Sequence, residues 1–381
     1  MLHYQLSHWE QESFFQDIDV AVIGSGIVGL SAAIHLREQS PSLRVVVLER
    51  GPLPIGASSR NAGFACFGSL SELLDDLENS SLDEVLQLVE QRYQGLQRLR
   101  QRYSDQAIGY EALGGYEVFR KEDQQRFARC EEHLGQINKA LIAIIGERTY
   151  SVKDKSLQSF DMAQEVEHLI LNRAEGQLHT GNLMQTLLKR ARELEINCFC
   201  GVEVKEFTEA NDQVVLRTYY GWSLTASRIL VATNGFARQL LPDLAVQPAR
   251  NQVLVTAPVP NLKLKGCFHY DRGYVYFRNV GQRVLLGGGR HLDPDGEQTS
   301  SFGHTNDIQT YLTNLLQHII LPNQPFTIER WWSGIMGVGT QKKPIIRPLS
   351  EHVIVAVRLG GMGVALGTAA GEQAAELLLN A

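Results

Sequence analysis

The segment DVAVIGSGIVGLSAAIHL, residues 19–36, constrains the fold more than any other stretch of the chain. A short apolar run at 20–23 is of buried-strand type, Gly24-Ser25-Gly26-Ile27-Val28-Gly29 follows, and an apolar helical pattern occupies 27–38. A second apolar run at 45–48 completes a strand–turn–helix–strand unit, which calls for a parallel sheet. Gly24 permits the tight turn, Gly26 lets the backbone approach phosphate oxygens, and Gly29 lets the helix pack close to the strand. The helix N-terminus adds free N–H groups and a partial positive charge. Glu49 ends the second strand, about twenty residues beyond Gly29, where a carboxylate for a ribose belongs. Taken alone, the segment suits the pyrophosphate of NAD or of FAD.

Other properties narrow the setting. Three glycines, two serines, Asp19 and His35 argue against reading this run as a membrane span. Met1-Leu2-His3-Tyr4-Gln5 has no basic region ahead of an apolar core, so no secretory leader is expected. A chain of 381 residues predicts two domains or one two-lobed body. Lys plus Arg is 36 against 42 for Asp plus Glu, a net charge of −6 without a long basic run, so nucleic acid is not an expected partner. Five scattered cysteines (Cys66, Cys130, Cys198, Cys200 and Cys267) with no C-x-x-C predict a reduced, cytoplasmic protein and no metal centre.

The far end of the chain decides between the dinucleotides. Val353–Val357 reads as a strand, Gly360-Gly361-Met362-Gly363 as a turn, and 364–379 as a helix. Two nucleotide-facing turns at opposite ends suit a large, permanently held cofactor. A helix N-terminus near Gly363 could lie under the N1–C2=O edge of a flavin, where negative charge develops on reduction. Between the two ends, 51–71 is rich in Gly, Ser and Pro and reads as loop. Ser81-Leu82-Asp83-Glu84 is a capping box opening an amphipathic helix, and a second helix spans Gln124–Ile145. Both read as parts of an inserted substrate lobe. A helix through 181–195 and strands near 198–200, 202–207, 214–219 and 228–232 return to the first unit. Strands at 253–256, 274–277 and 284–286 and a helix at 306–318 follow.

AVIGSGIVGLSAAIHL, LERG, GASSRNAGFACFGS, VATNGFA and LGGMGVALGTAAGEQAAELL occur in this order. In this the chain resembles the D-amino acid oxidase (DAO) superfamily of FAD-dependent oxidoreductases, which includes glycine oxidase, sarcosine oxidase and γ-glutamylputrescine oxidase. The resemblance spans residues 19–380. It implies an α/β fold, with an FAD-binding Rossmann-like domain of glutathione-reductase type and an inserted α+β substrate domain on an antiparallel-rich sheet. The expected boundaries are 1–75, 165–240 and 330–381 for the FAD-binding domain and 76–164 and 241–329 for the substrate-binding domain.

The resemblance also implies site residues. Gly24, Ser25, Gly26, Ile27, Val28 and Gly29 would line the pyrophosphate, Glu49 would hold the adenosine ribose, and Arg50 would lie beside the adenine. Ser58, Ser59, Arg60, Asn61, Ala62 and Gly63 would run along the pyrophosphate, the ribityl chain and the isoalloxazine edge. Arg60 is also, on its own chemistry, a cation able to offset cofactor charge. Val204 would meet adenine through its backbone, Thr233, Asn234 and Gly235 would end a strand near the cofactor, and Gly334, Gly361, Met362, Gly363 and Val364 would lie near the flavin. Relatives that attach FAD covalently use a His in the loop after the ribose carboxylate or a Cys in the C-terminal third. Neither 58–63 nor 332–337 has one, so non-covalent FAD is expected.

The expected reaction is oxidation of the C–N bond of an amine or amino acid, with hydride transfer to flavin N5 and an imine product. The electron acceptor is O2 or another oxidant. Glycine oxidase-like proteins grip the substrate carboxylate with an Arg where WWSGIMGVGT here carries Met336. That departure favours a secondary amine or a larger amino compound. Tyr274, Tyr276 and Arg278 alternate onto one strand face and form a candidate pocket wall. Trp332 and Cys66 are further candidates, although Cys66 reads first as a small buried hydrophobe, and His269 reads as a structural residue. The alternatives are a 2-hydroxy acid dehydrogenase, a tRNA-modification oxidoreductase of the same superfamily, and a flavin-binding protein without turnover. No catalytic acid or base stands out from the sequence.

Overall fold

The computed structural model describes residues 4–380. The leader reading at Met1–His3 and the outermost residues of the expected domains, 1–3 and 381, lie outside them. Two eight-stranded sheets organise the chain. In the first, Ile18–Ile23 lies at the centre, between Val45–Glu49 and Ser223–Val231, parallel to both. Asn197–Cys200 and Val353–Val357 extend the parallel part on either side, and Ile345–Pro348 adds an antiparallel edge. The hairpin of Val204–Ala210 and Gln213–Thr218 continues from Ser223–Val231.

The central strands are apolar throughout because both their faces are covered. The helix Ile27–Gln39 is buried on every side from Ile27 to Leu36. A helix without a polar face needs packing all round, and the last helix, Gly363–Leu379, supplies it. That helix is rich in Ala and Gly, so the two backbones approach closely, with Gly371 against the Val28 carbonyl.

The second sheet runs Ile328–Val338, Gln247–Thr256, Arg283–Gly288, Val275–Val280, Cys267–Tyr270, Gly115–Arg120, Val166–Asn172, Tyr150–Val152. Every pairing is antiparallel except that of Cys267–Tyr270 with Gly115–Arg120. One face packs Leu254, Phe268, Phe277 and Leu286 against the helix Asn306–Leu315, through Ile308 and Leu312. The opposite face turns toward the glycine turns of the first unit. The fold is thus α/β, a Rossmann-like unit joined to a unit on an antiparallel-rich sheet.

Three strands, Gly115–Arg120, Tyr150–Val152 and Val166–Asn172, form where no strand was expected, and Val166–Asn172 pairs in the second sheet although it falls within 165–240. Glu117 and Asn172 are polar yet buried there, which spoils the alternation that marks a strand. The helix Leu82–Tyr103 begins at the expected capping box. It packs on Gly363–Leu379, with Gly95 against the Ala365 carbonyl. Ile328–Val338 pairs in the second sheet, although most of it falls within 330–381.

Candidate functional site

The first turn is built as its residue types require. Gly24 adopts φ +107°, and a Cβ there would stand 2.9 Å from the Ala232 carbonyl oxygen. Gly29 lies directly on the Gly24 carbonyl, which fixes the helix to the turn. Glu49 is buried. Its Oε2 accepts from the Ser25 N–H (3.2 Å) and hydroxyl (2.7 Å), and its Oε1 accepts from the Gly51 N–H (2.9 Å). Oε2 is thereby filled, and Oε1 keeps a lone pair for a ribose hydroxyl. Ser25 therefore supports the carboxylate and does not line the cleft.

The loop 57–63 is held from three sides. Ser58 Oγ accepts from the Ile27 N–H at 2.9 Å, closing the loop onto the phosphate turn. Asn61 donates to the Ala57 and Ser58 carbonyls and accepts from the Gly63 N–H and the Thr180 hydroxyl. From the second sheet, Trp332 Nε1 donates to the Arg60 carbonyl at 3.0 Å, and Arg60 Nη1 donates to the Ser333 carbonyl at 3.0 Å. The Arg60 guanidinium also lies over the Phe302 ring. Arg278 donates to the Gly63 and Leu178 carbonyls at 3.2 and 3.0 Å.

At the other end, Asn234 Oδ1 accepts from the backbone N–H groups of Arg358 and Leu359 and so fixes the approach to the second glycine turn. The helix Gly363–Leu379 starts there without a side-chain cap. Its first N–H groups are free for a ligand.

A continuous cleft joins the two turns. Its first part, about 280 Å³, is lined by Gly24, Glu49, Arg50, Val204, Thr233 and Phe236, among others. Arg50 stacks on Phe236 at 3.8 Å and forms a flat end wall. The second part, about 450 Å³, is lined by Ile27, Val28, Arg60, Asn61, Ala62 and Gly334, and by Gly361, Met362, Gly363 and Val364. Gly26, Ser58 and Asn234 border both parts.

The second part continues into a chamber beneath the second sheet. Tyr274, Tyr276, Met336, Cys66 and His269 line it, with Asn251 and Phe64. Charges of both signs face it: Glu72 and Asp75 on one hand, Arg92, Arg272, Arg290 and Lys342 on the other. Burial pushes the Tyr276 phenol well up, Asn251 opposing it. Burial works against a charged His269, but the Glu175, Glu72 and Glu117 carboxylates outweigh it and raise its pKa.

The cleft fits FAD by its own features. Thr233 Oγ1 and Asn251 Oδ1 are buried, unpartnered and placed on its walls, where a bound polar group would satisfy them. The match to the family model described as "DAO: FAD dependent oxidoreductase" covers residues 19–377.

The chain belongs to this DAO family.

It is an enzyme, an FAD-dependent oxidoreductase. It is 26% identical over 376 residues to the probable oxidoreductase OrdL of Rhizobium meliloti, covering 95% of this chain and 83% of that one. It is also 26% identical over 378 residues to the γ-glutamylputrescine oxidoreductase of Escherichia coli, covering 94% and 83%. Glycine oxidase from Geobacillus kaustophilus shares the fold with a TM-score of 0.76 at 20% identity, over 95% of this chain and 94% of that one. Iminodiacetate oxidase from Chelativorans sp. BNC1 gives 0.76 at 21%, over 95% of each. No helix among the described residues is long and apolar enough to cross a membrane.

Within this DAO-family cleft, several expected residues support the walls without forming them. Ser25, Gly29, Gly63 and Gly235 hold the turns from behind, Gly235 backing onto the Met336 carbonyl. Ser59 is exposed and donates to the Pro54 and Gly56 carbonyls. Tyr276 and Arg278 share the strand face the alternation predicts, while Val275 and Phe277 join the opposite core. Only Tyr276 of that pair reaches the chamber. Arg278 is consumed by two carbonyls under Gly63, and Tyr274 precedes the strand. Trp332 touches the loop and not the chamber. Sequence reasoning missed Glu72, Asp75 and Asn251 as wall residues. Their positions depend on which sheet face meets the cleft, a tertiary fact with no local signal.

Proposed function

We propose that the chain oxidises the C–N bond of an amine that also carries a carboxylate, giving the imine. The observation that carries this is Arg290. It lines the chamber, lies over Tyr274 at 5.2 Å, and has no carboxylate within ion-pair distance among the described residues. A planar guanidinium with open donors suits a substrate carboxylate. The position of Met336 explains why the cation must come from elsewhere. Its sulfur accepts only a weak contact from Asn251 at 3.6 Å. Glu72 and Asp75 supply the opposite charge for an ammonium group, which a 2-hydroxy acid lacks. The names of two similar proteins support the reading, since γ-glutamylputrescine and iminodiacetate both combine an amine with carboxylates.

FAD, when bound, would supply the acceptor for a hydride from the carbon next to nitrogen. The protein's part is orientation and exclusion of water. Gly24, Gly26, Ile27, Val28 and Glu49 would hold the pyrophosphate and ribose end, with Ser25 and Gly29 bracing the turn from behind and Arg50 and Val204 at the adenine. Ser58, Arg60, Asn61 and Ala62 and the turn at Gly361, Met362, Gly363 and Val364 would hold the other end. Tyr276 and Asn251 would border the amine, and the Tyr276 phenol stays protonated at neutral pH. We further propose non-covalent attachment. Cys66 and His269 are the cysteine and histidine lining the chamber, and burial keeps the Cys66 thiol protonated and a poor nucleophile. In this reading the Rossmann-like unit binds the cofactor and the second sheet binds substrate. A cytoplasmic location suits the free thiols.

The test mixes purified holoenzyme under argon with amines, amino acids and 2-hydroxy acids and follows flavin bleaching. Bleaching by carboxylate-bearing amines, with release of ammonia or a free amine, supports the proposal. Bleaching by hydroxy acids alone, or by nothing in the panel, overturns it. Acid precipitation reads the attachment, since flavin left in the pellet would rule out a non-covalent cofactor.

A further inference from the structure

Cys66, Glu175 and His269 come from three distant segments and meet in the wall of the chamber. Their ligand atoms all lie within 4.8 Å of one another, and all three residues are buried. Glu175 is fixed in advance. Its Oε1 accepts the Phe67 and Gly68 N–H groups at 2.9 and 3.1 Å, and its Oε2 faces His269 Nε2 at 3.4 Å. That separation exceeds the usual N–H···O range. Neither Oε2 nor Nε2 has a closer partner. Two atoms bound to one tetrahedral ion at ~2.0–2.1 Å stand ~3.4 Å apart. Thiolate, imidazole and carboxylate are the three ligand types that zinc takes, and catalytic-type sites use three protein ligands with a fourth position open. Cys66 and His269 border the chamber, so the fourth position faces it.

We propose that Cys66, Glu175 and His269 form a site for a thiophilic divalent cation, Zn2+ by its chemistry, in the wall of the substrate chamber. This goes beyond the reaction proposed above and revises the sequence expectation of no metal centre. Binding forms a metal–sulfur, a metal–nitrogen and a metal–oxygen bond. The thiol proton, and any proton on the imidazole, leave to solvent. No electron is transferred. The bound ion occupies the wall next to Tyr276, the strand partner of His269.

The experiment titrates FAD-loaded enzyme with Co2+ and with Zn2+ in the absence of substrate, so its result does not depend on the amine proposal. The expected result is one equivalent of Co2+ per chain, with a thiolate charge-transfer band and tetrahedral ligand-field bands at wavelengths beyond oxidised flavin. Zn2+ should displace it. C66S should lose the charge-transfer band, and H269Q should weaken binding at least tenfold. Removal of the exposed thiol in C200S should change neither. Thermal midpoint and flavin content check that each variant is folded, and two independent ligand variants keep the test open if one fails to fold. Absence of stoichiometric binding, or equal binding in wild type, C66S and H269Q, overturns the site. The Cys66–Glu175–His269 cluster is then a hydrogen-bonded pair beside a buried thiol.

Discussion

Gly371 rests on the carbonyl oxygen of Val28, leaving no room for a side chain between the last helix and the helix that follows the first glycine turn. The two helix N-termini that border the cleft are thereby set relative to each other. Gly371→Ala should push the helices apart at a cost of about 1–3 kcal/mol, the usual range for overpacking. It should lower both the thermal midpoint and the flavin retained through gel filtration. Gly135, mid-helix on the surface with nothing within 4 Å of a built Cβ, is the control. Gly135→Ala should stabilise by ~0.5–1 kcal/mol through helix propensity alone. Equal effects of the two changes would contradict the packing argument.

Trp332 ties the second sheet to the loop 57–63 through the Arg60 carbonyl. Trp332→Phe keeps the ring packed against Ala62, Val253 and Leu285 and removes only the donor. A net hydrogen bond contributes about 1 kcal/mol. FAD affinity, measured by fluorescence on reconstitution of the apoprotein, should therefore fall ~5-fold, with little change in the apoprotein's thermal midpoint. An unchanged affinity means that the loop is fixed by Ser58, Asn61 and Arg278 without Trp332.

Burial raises the Glu117 carboxyl from the ordinary 4.5 to about 7, even though the Ser71 hydroxyl and N–H donate to it and favour the charged form. The folded chain therefore holds a proton that the unfolded chain has released between pH 4.5 and 7. Its stability contribution is fully present below the unfolded value and is lost as pH rises through the folded one. The loss is on the order of 3 kcal/mol. Glu117→Gln mimics the protonated form at every pH. Its thermal midpoint should match wild type below about pH 4.5, pull ahead as the pH rises from 4.5 to about 7, and keep a steady lead above that. A gap that stays constant across this range would show that Glu117 does not titrate in the folded state.

The cofactor half of the site was legible because each of its parts is local. Gly24, Gly26 and Gly29 lie within one turn, Glu49 at the end of the next strand, and Gly361 to Val364 within another turn. The capping box at Ser81 and the alternation of Tyr276 with Phe277 were legible for the same reason. The chamber was not. Arg290, Glu72 and Asn251 come from separate elements, and their convergence depends on how one sheet lies on the other unit. Arg278 shows the limit most clearly, since its strand face was foreseen correctly and its two carbonyl partners under Gly63 were not. His269 read as structural because a lone histidine in an apolar strand carries no sign of a buried glutamate nearly a hundred residues earlier.

Arg290 gives the sharpest test of substrate class. Arg290→Met removes the guanidinium while keeping an unbranched chain over Tyr274. A charged hydrogen-bonded pair contributes about 1.5–3 kcal/mol, so KM for a carboxylate-bearing amine should rise ~10–150-fold. An amine substrate without a carboxylate should be affected little. The limiting rate of flavin bleaching should change less than KM, because Arg290 grips a part of the substrate remote from the reacting C–H bond. Arg290→Lys should recover part of the loss, retaining the charge without the two-pronged geometry. Stopped-flow bleaching under argon across a substrate series separates the two parameters. If both substrate classes suffer alike, Arg290 supports the chamber wall and the carboxylate grip lies elsewhere. If KM holds for both, the substrate of this enzyme carries no carboxylate in the chamber.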